Sequence, residues 1–414
     1  MQRLLYISHR VPYPPDKGER VRAFHEIMAL SSVFDVTLLA LCQEAFDAAR
    51  LEPMEELCSA VLPLWARGKL GVLRGVWRIA RGRSATECYF QPDSCSMRRV
   101  DRILQQRFDL AFGYCSSTLP LLLKANAESC AMDLVDVDSA KWRAYARRRH
   151  LPGHLLYSRE AAAVARLERR ALEQCRTVFT VSSAEADLLP PGPAKVVPVQ
   201  NGVDTSHFRP TNTKPDSDSP ALVFTGSMDY EPNVRAVCWF CRTVYPELRQ
   251  RFPGLRFLIV GRHPVGAVQR LDKLEGVTVT GSVVDTAPYL HQAAVAVAPL
   301  DIARGIQNKV LEAAACGVPV VASPEALTGL DFSADQHVLS ARSPDEWVEA
   351  AARLLTDPAY ADRLTEQALR MVRNTYSWPS RMAALVQECV RLANPHQPTD
   401  ENMSAGMPAG GGIA

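Results

Sequence analysis

Short apolar runs alternate with helical stretches along almost the whole chain, and the alternation starts afresh after a polar segment at 211–220. In the first half, RLLYISH (3–9), DVTLLAL (35–41) and runs at 60–64, 109–114, 130–137 and 177–182 read as strands. In the second, ALVFTGS (221–227), LRFLIVG (255–261), VTVTGSV (277–283), VAVAPL (295–300) and VPVVAS (318–323) do the same. Strands that are apolar throughout and separated by helices belong to parallel sheets covered on both faces. A chain of 414 residues also exceeds what one hydrophobic core usually holds. The pattern predicts an α/β protein of two doubly wound, Rossmann-like domains, 1–197 and 198–375, facing a cleft. A helix over 376–394 returns to the first domain, and the Gly/Pro/Ser-rich tail 395–414 reads as disordered. Ligands of such folds bind outside the carboxyl ends of the strands, so function is expected in the βα loops.

Composition narrows the field. A formal charge of +2 lacks the basic excess of a nucleic-acid binder. The eleven cysteines are scattered, and the one CxxC, Cys238–Cys241, lies in an apolar helical pattern with no second pair to complete a zinc site. The opening MQRLLYISHRVPYPP lacks the apolar run of a signal peptide, and no window reaches the roughly 18 apolar residues of a membrane span. The expectation is a cytoplasmic protein that touches a membrane only from its surface. No G-x-G-x-x-G follows any strand, which leaves a nicotinamide cofactor without support.

Several loops carry anion chemistry. In SHRVPYPPDKGERVRAF, Gly18 opens a helix, with Lys17, Arg20 and Arg22 nearby; the loop either cradles phosphate or is merely shaped by Pro14, Pro15 and Gly18. FTGSMDYEPN ends a strand at Gly226, and IVGRHP repeats the arrangement with Gly261 and Arg262. The most constrained stretch is RGIQNKVLEAAACGVPVVAS (304–323). Arg304 to Lys309 occupy a βα loop and first helical turn, offering the backbone of Gly305, Ile306, Gln307 and Asn308 together with two cations. Glu312, one turn on, either accepts hydrogen bonds from the vicinal hydroxyls of a ribose or comforts the helix start. In the first domain Asp136 and Asp138 end a strand, and Asp138 is either a reacting-centre carboxylate or an N-cap. Residues 65–83, WARGKLGVLRGVWRIARGR, place Leu70, Leu73, Trp77 and Ala80 on one helical stripe flanked by Arg74, Arg78 and Arg81. Such a basic amphipathic helix either docks on an anionic membrane or packs its apolar face on the sheet. A second basic run, KWRAYARRRH (141–150), lies in the same domain.

Taken together, NGVDTSHFRP (201–210), GSMDYEPN, IVGRHP and KVLEAAACGVPVVAS, in this order and spacing, resemble the retaining glycosyltransferases of family 4, with their two-domain GT-B architecture. The resemblance covers nearly the whole chain. SHRVPYPPDKGERVR and VDVDSAKWRAYA resemble a narrower bacterial group of sugar transferases associated with exosortase and exopolysaccharide systems. The resemblance implies a nucleotide-diphosphate sugar donor held by the C-terminal domain, with Glu312 on the ribose and Gly18 against the phosphates. It also implies a saccharide or lipid-linked acceptor at the N-terminal domain, the inner membrane surface as a peripheral partner, and no required cofactor or metal. Arg304 stands where the family often has a donor-contacting glutamate. The family's usual basic pair after the first C-domain strand is missing, and Arg235 and Arg262 are the candidate substitutes. Many members place a histidine where this chain offers Asp138. A sugar-nucleotide epimerase and a non-catalytic donor-binding scaffold are the competing expectations.

Overall fold

The computed structural model describes residues 1–15, 18–44, 47–65, 82–147, 150–151, 153–211, 218–303 and 306–394. The chain divides into two compact units, Met1–Asn201 with Arg381–Ala414, and Gly202–Ser380.

The first unit is built on a seven-stranded sheet: β1 (Gln2–Ser8), β2 (Phe34–Cys42), β3 (Ala60–Trp65), β4 (Phe108–Tyr114), β5 (Ala127–Val135), β6 (Thr177–Thr180) and β7 (Lys195–Pro198). Its order is β3-β2-β1-β4-β5-β6-β7, and every pairing is parallel. The chain winds outward from β1 to β3 and then returns to β4 on the other side of β1, so the topological switch lies between β1 and β4. Leu4 to Ile7 in β1 are wholly buried, as a strand covered on both faces requires. Helices α1 (Gly18–Ser31), α2 (Asp138–Arg147) and α3 (Gly153–Gln174) follow β1 and β5. The helix Trp378–Ala393 also serves this unit. Gln2 Nε2 donates to Ala393 O at 2.8 Å, and Glu388 accepts from Thr177 Oγ1 at 2.6 Å and from Lys195 Nζ at 3.0 Å.

In the second unit β8 (Ala221–Thr225), β9 (Arg256–Val260), β10 (Val277–Gly281), β11 (Val295–Ala298), β12 (Val320–Ala322) and β13 (Leu339–Ser340) form another all-parallel sheet. The order is β10-β9-β8-β11-β12-β13, and the switch falls between β8 and β11. Helices α4 (Glu231–Thr243), α5 (Asn308–Ala315) and α6 (Pro344–Thr356) follow β8, β11 and β13. Pro324 and Pro344 sit at the first turns of their helices, where their missing N–H is no loss. Cys238 and Cys241, the CxxC, are buried in this core among Phe240, Val244 and Phe257.

Two short edge strands depart from the sequence expectation. β7 and β13 lack a continuous apolar run: β7 is half-exposed and ends in Pro198, and β13 has two residues. Because Pro198 belongs to β7, the boundary falls at Asn201/Gly202 rather than at 197/198. The junction's residue types follow from what each touches. Asn201 Oδ1 accepts from Arg22 Nη1 at 3.0 Å within the first unit. A Cβ on Gly202 would come within 2.6 Å of Trp378 backbone atoms within the second, where Val203 N–H donates to Tyr376 O at 2.7 Å.

Candidate functional site

The site residues of the second unit converge on its switch point. α5 leaves β11 through Pro299–Asp301, and Gln307 at its N-cap makes no side-chain capping bond. Lys309, in the first turn, reaches across to the end of β8: its Nζ lies 4.3 Å from the centroid of the Phe224 ring and donates to Asn233 Oδ1 at 2.6 Å. Asn233 is buried in the first turn of α4 and donates from Nδ2 to Ser227 O at 2.9 Å. Gly226 makes room for this contact, since a Cβ there would meet Asn233 Nδ2 at 2.6 Å and Lys309 Nζ at 3.3 Å. Gly261 has a different cause: its Cβ would fall 1.6 Å from Gly226 O, so the ends of β8 and β9 pack backbone against backbone.

Glu312 follows Lys309 by three residues on α5, on the same face. It is half-buried between the fully buried Leu311 and Ala313, and its carboxylate has no hydrogen-bond or ion-pair partner among the described residues. Burial raises its pKa to about 7, against the opposing charges of Lys309 and His207. Burial lowers Lys309 to about 7, with Glu312 opposing. For both groups desolvation outweighs their mutual attraction, so each is shifted toward its neutral form. His207, from the NGVDTSHF stretch, lies 2.9 Å by Nε2 from Asp285 Oδ1. Asp285 sits below its usual value: burial works to raise it, but the Ala287 amide and His207 outweigh that.

Of the remaining donor-side candidates, some stand beside Lys309 and others apart from it. Ile306 and Gln307 are half-buried and Asn308 is exposed at the head of α5; Arg304 and Gly305 lie outside the described residues. Arg235 is paired with Asp301 at 3.0 Å on the surface. Arg262 Nε donates to Ser227 Oγ at 3.4 Å.

In the first unit Gly18 opens α1, but Arg22 does not face a ligand. It is wholly buried, with Nη2 2.6 Å from Asp133 Oδ2, Nε 3.0 Å from Glu26 Oε1, and Nη1 donating to Val199 O at 2.7 Å. This arginine from the candidate phosphate loop is thus a structural cation held by Asp133, Glu26 and Val199. Asp138 heads α2 after Val135, a β-branched residue at φ 64°. Asp133 accepts from the Val135 amide at 2.7 Å, Glu185 from Val137 at 2.7 Å and Glu168 from Ser139 at 2.9 Å. The amides at this turn are therefore served by Asp133, Glu185 and Glu168. The Asp138 carboxylate lies 3.7 Å from Lys141 Nζ. Burial raises its pKa, opposed by Lys141 and, more weakly, by His9. His9, buried at the end of β1, stacks on Tyr114 with centroids 5.5 Å apart and meets the edge of Phe90. Arg74, Trp77, Arg78 and Arg81 lie outside the described residues.

No local pattern marks His9, Asn233, His207 or Asp285, although the first three lie inside the stretches SHRVPYPP, FTGSMDYEPN and NGVDTSHFRP. For Asn233 and His207, spacing along the chain gives no hint of the partners, 76 and 78 residues away.

Comparison with known proteins agrees with this architecture. Sucrose-phosphate synthase from Thermosynechococcus elongatus superposes with a TM-score of 0.63, covering 94% of this chain and 99% of its own at 16% identity. HepE from Anabaena, solved in complex with UDP and glucose, gives 0.58, 94% and 99% at 12% identity. TarM gives 0.60 over 95% of this chain and 99% of its own at 8% identity. The fold is GT-B, two Rossmann-like α/β domains. Residues 219–357 match the family described as Glycosyl transferases group 1. Among curated proteins, glycogen synthase from Mycobacterium tuberculosis is 26% identical over 243 residues, 56% of this chain and 57% of its own. A component of phosphatidylinositol N-acetylglucosaminyltransferase from Arabidopsis thaliana is 25% identical over 211 residues, 45% of this chain and 42% of its own. The chain thus spans about half the length of the curated relatives it matches.

Proposed function

We propose that the protein is a glycosyltransferase that moves a sugar from a nucleotide-diphosphate donor to a hydroxyl acceptor. The observation that carries this reading is the pair Lys309 and Glu312, both half-buried at the switch point of the second sheet and both desolvated toward neutrality. A diphosphate beside Lys309 would restore its charge, and two vicinal hydroxyls would give Glu312 the donors it lacks. One molecule that offers an anion next to a diol is a nucleoside diphosphate. His207, which acts on Glu312, and its partner Asp285 would meet the base end. HepE is described with UDP and with UDP-glucose, which puts uridine first among the bases to try.

In the reaction the acceptor oxygen forms a bond to the anomeric carbon while the bond from that carbon to the diphosphate oxygen breaks. The electron pair leaves with the nucleoside diphosphate, and the acceptor proton passes to the departing phosphate. Lys309 and the amides at the head of α5 stabilise the charge that develops there. Attack on the face that the leaving group vacates retains configuration. Asp138 orients the acceptor hydroxyl or offsets positive charge at the anomeric carbon. A lipid-linked saccharide of exopolysaccharide assembly is the acceptor we favour, reached from the inner face of the membrane, with 65–83 contributing its basic stripe. Among the described residues no helix is long and apolar enough to cross a membrane.

The test is release of nucleoside diphosphate from UDP-, GDP-, ADP- and TDP-sugars. Release from one base class, lost in Glu312→Gln, supports the reading. Release from none, with or without candidate acceptors, or release indifferent to Glu312, overturns it.

A further inference from the structure

We propose that the end of the α2–α3 pair marked by Tyr145, Leu151, Leu155 and Leu156 is a docking surface for an anionic lipid bilayer. Leu151, Leu155 and Leu156 are 71%, 63% and 61% exposed, and Tyr145 on the facing helix is 44% exposed. Further along, α3 turns one face inward through Ala161, Val164, Leu167 and Ala171, so the leucines belong to the part that runs past the core. Behind them stands an aromatic cluster: Trp142 stacks on Tyr157 with centroids 5.5 Å apart and meets Tyr145 edge-on at 5.9 Å. His154 Nδ1 lies 3.1 Å from Ala146 O and ties the two helices at this end.

The charge along this segment of the chain has one sign. From Ser139 to Arg159 the sequence carries six Lys or Arg and two His and no acidic residue, and Lys141, Arg143 and Arg147 are exposed along α2. Exposed leucines, a ring of Trp and Tyr, and cations on long stems are the three parts of an interfacial anchor. The leucines enter the acyl boundary, the aromatics sit at the headgroups, and the cations reach the anionic phosphates. A second copy of the chain would bring like charges together at this face. A nucleic acid would satisfy the cations and leave the leucines exposed. A bilayer serves all three.

The placement sharpens the membrane-facing part of the proposed function and does not depend on the donor chemistry. α2 has 10 residues, a length of about 15 Å, and Asp138 is its first. Docking by the leucine end therefore holds the carboxylate end of α2 about that far along the helix from the lipid.

The experiment is flotation of the full chain with vesicles of phosphatidylcholine alone and with about one-third phosphatidylglycerol added. The parent protein is expected on the anionic vesicles and to be released by salt. Leu151→Ser/Leu155→Ser/Leu156→Ser and, separately, Arg143→Gln/Arg147→Gln should each weaken binding about tenfold, with unchanged melting temperature and nucleotide response. The arginine variant carries the test should the leucine variant fail to fold. Absence of binding by the parent protein overturns the proposal, as does full binding by both variants. So does a loss seen only on neutralising Arg74, Arg78 and Arg81. A leucine variant that turns a dimer into a monomer while still floating would make this surface a contact between copies and also overturn it.

Discussion

Lys309 and Glu312 set opposite conditions on pH. Donor binding as proposed needs the lysine protonated and the glutamate ionised. With both near 7, nucleoside diphosphate affinity is expected to be bell-shaped with its maximum near pH 7, measurable by titration calorimetry across pH 5.5–8.5. A profile flat across that range would show that this pair does not hold the ligand. Unliganded stability should run the other way. Glu312 sits above its ordinary 4.5, so the folded chain holds the extra proton and its contribution falls as pH rises from about 4.5 to 7. Lys309 sits below its ordinary 10.5, so the unfolded chain holds the extra proton and its contribution grows from about pH 7 to 10.5. Glu312→Gln at pH 8 should therefore stabilise the free protein by roughly 1–2 kcal/mol while abolishing nucleotide binding. A destabilised variant would contradict the desolvation argument. Asn233→Ala removes the acceptor at 2.6 Å from Lys309, which should lower the lysine further and move the basic limb of the profile to lower pH.

At the scale of elements, one carboxylate ties the helix Trp378–Ala393 to β6 and β7. Burial alone would raise Glu388, yet Arg391, Thr177 and Lys195 together hold it at about 2. Its contribution is present above about pH 4.5 and lost as pH falls toward 2. Glu388→Ala is expected to cost roughly 2 kcal/mol at pH 7 and to flatten the acid limb of the denaturation profile. An unchanged acid limb would place the helix's stability elsewhere. The same contrast between local pattern and distant partners separates what was legible in the sequence from what was not. Strands such as LLYI and FLIV are uninterrupted apolar runs because both faces are covered, and composition alone reveals that. β7 is an edge piece with exposed ends and β13 is only two residues long, so no run marks them. The stretch 306–312 was legible as a βα loop and helix start, but not that Asn233 would receive Lys309. Arg22 read as a loop cation because Asp133, which buries it, lies 111 residues away. Pairings of that kind are made by the sheet order, which no local pattern states.

At the scale of the molecule, the chain passes from one unit to the other at Asn201/Gly202 and back at Ser380/Arg381. Gly202 lies against Trp378 too closely for any Cβ, so Gly202→Ala must displace backbone at the junction. A loss of about 2 kcal/mol, seen as a melting temperature lower by roughly 4–8 °C, is expected. A silent substitution would mean that the junction yields without cost. Lys309 and the unpartnered carboxylate of Glu312, two desolvated groups on one helix, form the proposed nucleotide site. The direct measurement is calorimetric titration of UDP, GDP, ADP and TDP into the parent protein and into Glu312→Gln and Lys309→Met at pH 7. One nucleotide is expected to bind the parent protein and neither variant. Equal binding by all three proteins would rule this site out.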